Sequence, residues 1–266
     1  MYQPGPSDGT RLTARNKRTR YERLSYEHRP EAIEERLKRS VRPQNLSDAV
    51  LGGIDGCVTT FAVVSGAVGA GFSPVVALIL GCANLIADGF SMAISNYESI
   101  RTQREFTETL RRTEKEHIDR VPEGEREEIR QIFRQKGFSG DTLEKIVDTI
   151  SQDQGLWVET MLMEEHGLQK TGPRALRSAL VTFFAFLFVG AVPLFPFLAS
   201  TMGIERQFVF SSFLAASMFF AIGMLKSLAF GRPAIRSGLG TLLTGSAAAS
   251  LAFLTGYLLR EAFGIA

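Results

Sequence analysis

Two aspartates stand beside a long apolar stretch of the chain. Asp55 comes directly before residues 56–87, which contain no charged side chain, and Asp88 directly follows them. A carboxylate at the centre of a membrane-spanning helix costs about 2.5 to 3.5 kcal/mol on insertion scales, so such groups usually serve an ion pathway. The two positions therefore predict a path for cations or protons.

Each aspartate lies on a polar stripe at helical spacing. The first stripe is Asp48, Gly52, Asp55, Gly56 and Thr59; the second is Asn84, Asp88, Ser91, Met92, Ser95 and Asn96. Two such stripes facing each other would line a hydrated path. In the alternative interpretation, the neutral polar residues are hydrogen-bonding contacts between helices, and Gly52 and Gly56 permit close helix packing.

Met92 adds chemical information to the second stripe. A thioether beside carboxylates is a poor ligand for Mg²⁺ or Ca²⁺ and a better one for softer first-row metals. The alternative is that this methionine only fills space between helices. Its place on the Asp88 stripe favours a transition metal as cargo.

A second group of candidate ligands lies in the charged segment 98–175. Three pairs are spaced by three or four residues: Glu114 with His117, Glu125 with Glu128, and Met161 with Glu165. Paired carboxylates on neighbouring helices hold first-row metals in helical bundles. The alternative is a solvated, Glu-rich surface. His28 and His166 are interpreted as ordinary surface groups.

The elements that must position these residues are membrane helices. The charge-free run 56–87 is too long for one crossing of about 30 Å, and Gly69, Gly71 and Pro74 predict a turn within it. The five predicted spans lie at about 47–70, 74–97, 176–199, 207–230 and 237–259. Asp55 and Asp88 then lie about 23 to 25 Å from the turn, level with each other.

Most basic residues that flank the predicted spans fall on one side, and only Arg206 and Arg260 fall on the other. The majority are Arg36, Lys38, Arg39 and Arg42; Arg101, Arg104, Arg111 and Arg112; Lys170, Arg174 and Arg177; and Lys226, Arg232 and Arg236. Because cytoplasmic flanks hold an excess of Lys and Arg, the N-terminus and the 98–175 insertion are predicted to be cytosolic. The C-terminus is then outside or lumenal.

The remaining segments are predicted from pattern. Residues 1 to about 20 are polar and predicted to be disordered, and 30–41 read as an amphipathic helix begun by Pro30. In the insertion, the second span continues to about Ile118, a helix begins at Pro122, and the last helix covers about 154–168. Its expected core is Ile129, Ile132, Phe133, Leu143, Ile146, Val147, Ile150, Leu156 and Trp157.

Composition excludes other classes of protein. The net charge is only +2, and no interleaving of basic and aromatic residues predicts a nucleic-acid partner. The two cysteines, Cys57 and Cys82, fall in apolar blocks and predict no disulfide. No histidine lies within a predicted span to activate a serine or cysteine, so we do not expect an enzyme.

Several motifs resemble those of the vacuolar iron transporter family. They are Ile54-Asp55-Gly56 with Thr59-Thr60-Phe61-Ala62 and Ser65-Gly66, Ala83-Asn84-Leu85-Ile86-Ala87 with Ser91-Met92-Ala93, Val121-Pro122-Glu123, and Met161 with Glu165-His166-Gly167-Leu168. The resemblance covers about residues 45–262. It implies a five-helix protomer that forms a homodimer in a lipid bilayer and transports Fe²⁺ in exchange for protons. The transport path would lie between the two copies of the first two spans.

The resemblance also implies roles for particular residues. Asp55 and Met92 become metal ligands of the transport path, which also includes Thr59, Asn84 and Asp88. In the insertion, the candidate ligands of the metal-binding module are Glu114, His117, Glu125, Glu128, Met161 and Glu165. Plant members carry glutamate where this chain has Asn84 and His117. Asn84 cannot ionise, and Asp88, one turn later, is the carboxylate placed to replace that glutamate.

The sequence thus predicts an all-α, five-span membrane protein in four parts: an arm (1–45), spans one and two (46–98), a cytosolic metal-binding module (99–172) and spans three to five (173–262). The expected function is export of cytosolic Fe²⁺ in exchange for protons, with Mn²⁺ or another first-row divalent metal as the alternative cargo. The alternative function is a membrane-anchored metal sensor or iron-storage scaffold without transport. A bacterial inner membrane and a vacuole-type membrane both fit this pattern.

Overall fold

The computed structural model describes residues 24–38, 44–168, 174–199, 202–230 and 233–264, which contain helices and no β-strand. The chain divides into two units, residues 1–42 and 43–266. In the first unit, helix α1 (Pro30–Lys38) begins at the predicted proline. The predicted disordered arm and residues 39–41 of the predicted amphipathic helix lie outside the described residues.

The second unit consists of helices joined by short connections. They are α2 (Gln44–Gly69), α3 (Pro74–Arg120), α4 (Pro122–Gln135), α5 (Gly140–Ser151), α6 (Gln154–Glu164), α7 (Ala175–Ala191), a 3-10 helix (Val192–Leu198), α8 (Ile204–Phe230) and α9 (Ala234–Phe263). Five of these segments are long and apolar enough to cross a membrane: α2, α3, α7 with the 3-10 helix, α8 and α9. The five predicted spans are confirmed.

The turn between α2 and α3 forms where glycine and proline predicted it. Gly71 has a positive φ of 77°, which glycine adopts without steric cost. The hydroxyl of Ser73 accepts a hydrogen bond from the Val76 N–H at 3.4 Å, and Pro74 occupies the first helical turn. This cap starts α3, which continues for 47 residues, or about 70 Å.

Helix α2 packs against each of α3, α7, α8 and α9. Its approach to α7 is close, because Gly52 and Gly56 let the two backbones come into contact. A Cβ atom on Gly52 would lie 2.3 Å from the Thr182 carbonyl oxygen, and one on Gly56 would lie 2.5 Å from that of Phe186. Small residues of this kind let membrane helices gain van der Waals contact. The small-residue interpretation of the two glycines is therefore confirmed.

Helix α7 does not run to Ala199 as predicted. The α-helix ends at Ala191 and the chain continues as a 3-10 helix to Leu198. Pro193 and Pro196 lack the N–H group that an α-helix requires, which explains the change of helix type. The two segments together still have the length of a membrane span.

The end of α3 packs with α4, α5 and α6 into a charged module, here residues 99–168. Its core is Ile118, Ile129, Leu143, Val147, Ile150, Trp157, Val158, Met161 and Leu162. Most of the predicted core residues belong to it or pack against it, but Leu156 is exposed. Helix α6 also ends at Glu164, four residues earlier than predicted, because Gly167, with a φ of 65°, follows in a left-handed conformation.

Candidate functional site

Asp55 of α2 and Asp88 of α3 lie close enough to interact electrostatically. Both side chains are half-buried. Among the described residues, neither carboxylate has a Lys, Arg or His within ion-pair distance. The pair thus concentrates negative charge between two adjoining spans, at the level that the sequence predicted. Such a pair can attract a cation that passes between the helices.

The other predicted path residues differ in the contacts that their side chains already make. The Thr59 hydroxyl donates a hydrogen bond to the Asp55 carbonyl oxygen at 2.9 Å, so its donor is used within its own helix. The Nδ2 atom of Asn84 is buried, with no hydrogen-bond partner among the described residues. Met92 packs against the apolar cluster that contains Leu85 and Phe186. Asn84 is thus the member of this group with free hydrogen-bonding capacity.

A polar contact among three helices was not singled out as a unit by the sequence. The amide of Asn96 in α3 donates to Asp48 of α2 at 3.3 Å and to the Thr182 hydroxyl of α7 at 2.8 Å. Asp48 is only 3% exposed, and its Oδ2 atom has no hydrogen-bond partner among the described residues. The two stripes therefore meet here through hydrogen bonds between helices. Asn96 has the role that the alternative interpretation gave to neutral polar residues.

In the module, carboxylates from three helices converge on Glu114 of α3. Glu114, His117 and Glu125 offer ligand atoms that all lie within 4.8 Å of one another. Glu128 and Glu165 lie close enough to act electrostatically on Glu125. The structure thus brings together five of the six predicted module ligands. Met161, the sixth, is fully buried in the core, one turn before Glu165.

His166 joins the same cluster, although the sequence suggested a surface group. Its Nε2 atom lies 2.9 Å from Glu114 Oε1, and the side chain is 24% exposed. Glu114, Glu165 and His166 form a second set of ligand atoms within 4.8 Å of one another. Its position directly after Glu165 was the available signal, but 52 residues separate it from Glu114 and helical spacing cannot show that contact.

The carboxylates of this cluster differ from the other acidic side chains of the module in their partners. Among the described residues, no Lys or Arg lies within ion-pair distance of Glu114, Glu125, Glu128 or Glu165. Most other acids of the module are paired. The pairs are Glu105–Arg101, Glu108–Arg111, Glu116–Arg120, Glu127–Arg130, Glu144–Arg130, Asp148–Arg126, Glu159–Arg111 and Glu164–Lys136. The fold therefore leaves one group of acids with only histidine as a basic neighbour, while it pairs their neighbours with Lys or Arg.

The pKa values of two carboxyl groups in this cluster are raised. Burial raises the pKa of Glu125 to about 7, and repulsion from Glu128, Glu114 and Glu165 adds to it. Burial also raises the pKa of Glu128, again with repulsion from Glu165 and Glu114. By contrast, hydrogen bonds from Arg130 and Gln131 lower the pKa of Glu127. A divalent cation at the cluster would relieve the repulsion that raises the first two values.

The donor set at the cluster suits a first-row transition metal. Carboxylate oxygens accept such ions, and imidazole nitrogen extends the choice to Fe, Ni, Cu and Zn. Glu114 Oε2 and Glu125 Oε2 are buried and lack hydrogen-bond partners among the described residues. Glu114 is 3% exposed and Glu125 is 5% exposed, so water satisfies neither fully. Both oxygen atoms remain free to coordinate a cation.

Comparison with known proteins gives a consistent result. The model of a family described as the VIT family matches residues 46–257. A vacuolar iron transporter of Toxoplasma gondii is 33% identical over 224 residues, which is 81% of this chain and 74% of that protein. One of Plasmodium berghei is 31% identical over 85% of this chain and 86% of its own length. Vacuolar iron transporter 1 of Arabidopsis thaliana is 28% identical over 77% and 82%, respectively.

Proposed function

The chain belongs to the VIT family, and from that premise we propose that it carries Fe²⁺ out of the cytosol across a membrane in exchange for protons. Its five spans make it a multi-pass membrane protein, and its relatives are named as iron transporters. The observation that carries the proposal is the carboxylate cluster around Glu114, in which Glu114 and Glu125 are buried and each has an oxygen atom without a hydrogen-bond partner among the described residues. Such a group is costly to maintain unless a cation occupies it.

In the proposed mechanism, the module collects the metal and the spans carry it. Glu114, His117, Glu125, Glu128 and Glu165 bind Fe²⁺ on the cytosolic side, with Met161 as the sixth ligand. The metal then passes to Asp55 and Met92 and leaves on the far side. Helix α3 supports this order, because it carries both Glu114 and Met92 without interruption.

Protons return through the same carboxylates. Each must be deprotonated to hold a metal, so metal and proton compete and their flows are coupled. Asp88 supplies the ionisable group that Asn84 does not. Thr59 and Asn84 complete the lining of the path, which we place between the first two spans of two copies in a homodimer. Two identical copies give a symmetric path that five spans alone cannot.

Flux in proteoliposomes tests the proposal. Wild-type protein should move Fe²⁺ under a pH gradient, and Asp55→Asn should reduce the rate at least tenfold because it removes a charged ligand. Glu205→Gln is the matched control, since Glu205 is exposed in the first turn of α8. If Asp55→Asn protein transported Fe²⁺ at the wild-type rate, this path would be wrong. Competition by Mn²⁺ in the same assay measures the specificity for Fe²⁺.

A metal sensor or storage scaffold is the second candidate function. It is favoured by one observation: both closely spaced sets of ligand atoms found among the described residues lie within the module, beyond the apolar part of α3 that the sequence predicts as a span (74–97). A sensor would bind metal at equilibrium and show no flux. Equilibrium binding and flux, measured on the same preparation, therefore separate the two candidates.

A further inference from the structure

The loop after α6 holds His166 in a defined position. The N–H groups of Glu165 and His166 both donate to the Met161 carbonyl oxygen, at 3.0 and 3.3 Å. The Leu168 N–H donates to the Leu162 carbonyl at 2.8 Å, and Leu168 packs against the module core. The backbone on both sides of His166 is therefore anchored, and its ring is directed towards Glu114.

Glu114 is shared by two sets of ligand atoms, each of which contains one histidine. Glu114 belongs to one set of ligand atoms with His117 and Glu125, and to another with Glu165 and His166. His166 Nε2 is 2.9 Å from Glu114 Oε1 and 3.8 Å from Glu165 Oε2. These separations allow one ion to contact all three side chains after small movements.

Two buried oxygen atoms point independently to a ligand at this place. Glu114 Oε2 and Glu125 Oε2 have no hydrogen-bond partner among the described residues, and both side chains are more than nine-tenths buried. A buried carboxylate oxygen without a partner loses the full free energy of its hydration. The acidic cluster thus has unsatisfied oxygen atoms that a bound cation would satisfy.

We propose that His166 is a metal ligand and that, with Glu114 and Glu165, it forms a second subsite beside the one made by His117 and Glu125. This inference rests on the proposed function, since it assigns the metal to the module. The module then offers two imidazole nitrogen atoms, one in each set that contains Glu114. A neutral imidazole presents a nitrogen lone pair to the metal when its proton is on the other nitrogen.

The second nitrogen affects which metal binds. Carboxylates and water are suitable ligands for Mn²⁺, whereas imidazole favours later first-row ions such as Co²⁺ and Ni²⁺. His166 therefore increases the preference of the module for the later ions over Mn²⁺. A site built only from carboxylates would discriminate less.

Equilibrium binding of Co²⁺ and Mn²⁺ to the purified full-length protein tests this assignment. His166→Gln should weaken Co²⁺ binding by about tenfold or more, as expected for loss of a ligand or its immediate support, and Mn²⁺ binding by about threefold or less. The ratio of the two dissociation constants should therefore change. The visible absorption of bound Co²⁺ should also change, because it reports the number of nitrogen ligands.

His28→Gln is the matched control, because His28 is exposed and its ring forms a hydrogen bond with the Leu24 carbonyl oxygen, away from the module. It should leave both dissociation constants unchanged. His166→Glu is a second variant that keeps a ligand atom at this position. It should retain Mn²⁺ binding and lose the preference for Co²⁺, and it remains informative if the glutamine variant does not fold.

The outcomes separate this inference from the proposed function. Equal weakening of both metals in His166→Gln would show a structural role only, and unchanged Co²⁺ binding and absorption would exclude a ligand; either result overturns the assignment. Wild-type flux together with either result would leave the transport proposal intact. Binding of Co²⁺ through His166 without any flux would contradict transport and support the ligand assignment.

Discussion

At the scale of single residues, the module sorts its acidic side chains into two groups. Glu127 and Glu144 share Arg130, whereas Glu114, Glu125, Glu128 and Glu165 have no Lys or Arg within ion-pair distance among the described residues. The first group adds to the stability of the folded chain. In the second group, the ionised form of Glu125 opposes folding, because burial and the neighbouring carboxylates raise its pKa. Under the proposed function, metal binding and stability therefore conflict at this side chain.

Glu125 provides a test of this conflict through pH. Its pKa rises to about 7 from an ordinary value of 4.5, so the folded state binds the proton more tightly than the unfolded state. Stability should therefore fall as pH rises from about 4.5 to about 7. We expect Glu125→Gln to raise the thermal midpoint of the metal-free protein by roughly 2 to 4 °C above pH 7 and by little at pH 5.

The matched control for that measurement is Glu127→Gln, because the pKa of Glu127 is lowered by Arg130 and Gln131. It should lower the midpoint slightly or leave it unchanged at pH 7. Added Mn²⁺ should stabilise the wild-type protein by about 2.7 kcal/mol at one hundred times its dissociation constant. Glu125→Gln protein should gain less. If the thermal midpoint of the Glu125→Gln protein equalled that of the wild type at every pH, ionised Glu125 would not oppose folding and this interpretation would be wrong.

At the scale of elements, helix α3 joins the membrane spans to the module. It begins at the turn after α2, contributes Asp88 and Met92 between the spans, and carries Glu114 into the module. The helix continues because its interior contains no proline and because its exposed surface from Arg101 onward is rich in good helix formers. In the proposed mechanism, capture and transport are thus linked by one continuous helix.

A break in α3 should separate capture from transport. Thr102 is exposed between the two regions, and Thr102→Pro removes a helical hydrogen bond at a cost of about 3 kcal/mol. We expect the variant to retain metal binding in the module but to transport Fe²⁺ more slowly. Thr102→Ala is the control and should behave like the wild type. Undiminished flux in the proline variant would show that transfer does not require a continuous helix.

The contact between α2 and α7 gives a second prediction for elements. Gly56→Ala places a Cβ atom 2.5 Å from the Phe186 carbonyl oxygen, so the two helices must separate. We expect a loss of about 1 to 3 kcal/mol, measured as a lower thermal midpoint in detergent. Gly240→Ala is the control, since nothing lies within 4 Å of its Cβ position, and it should be neutral or slightly stabilising. Equal midpoints for the two variants would contradict this packing.

At the scale of the whole molecule, α3 exposes two different surfaces. Ile79, Ile86 and Phe90 form an apolar surface suited to lipid. Ser91 is also exposed, but it lies seven residues after Asn84 and so shares the polar side of the helix. In the proposed homodimer, the polar side faces the second copy and the apolar side faces the bilayer.

Cross-linking tests this arrangement. In a Cys82→Ser background, Ser91→Cys should give a covalent dimer in membranes under mild oxidation, because two copies of this position approach each other. Phe90→Cys is the control: it is adjacent and exposed, but about 100° away around the helix. It should stay monomeric. Dimers from Phe90→Cys alone would reverse the assignment of the two surfaces.

The sequence determined the elements of this protein and predicted that Asp55 and Asp88 lie level with each other. Five long apolar segments and the Gly71–Pro74 turn predicted the spans, because a bilayer requires helices of fixed length. The level of Asp55 and Asp88 followed from counting residues along two helices. The module pairs at helical spacing were also visible, since spacing along one helix fixes which side chains share a face.

Only the tertiary structure decided which faces meet. The backbone contact of Gly52 and Gly56 with α7, the exposure of Leu156, the burial of Met161 and the approach of His166 to Glu114 all depend on packing between distant segments. So does the division of the acids into paired and unpaired groups. Helical periodicity places a residue on a face of its own helix, but shape complementarity between helices decides what that face contacts.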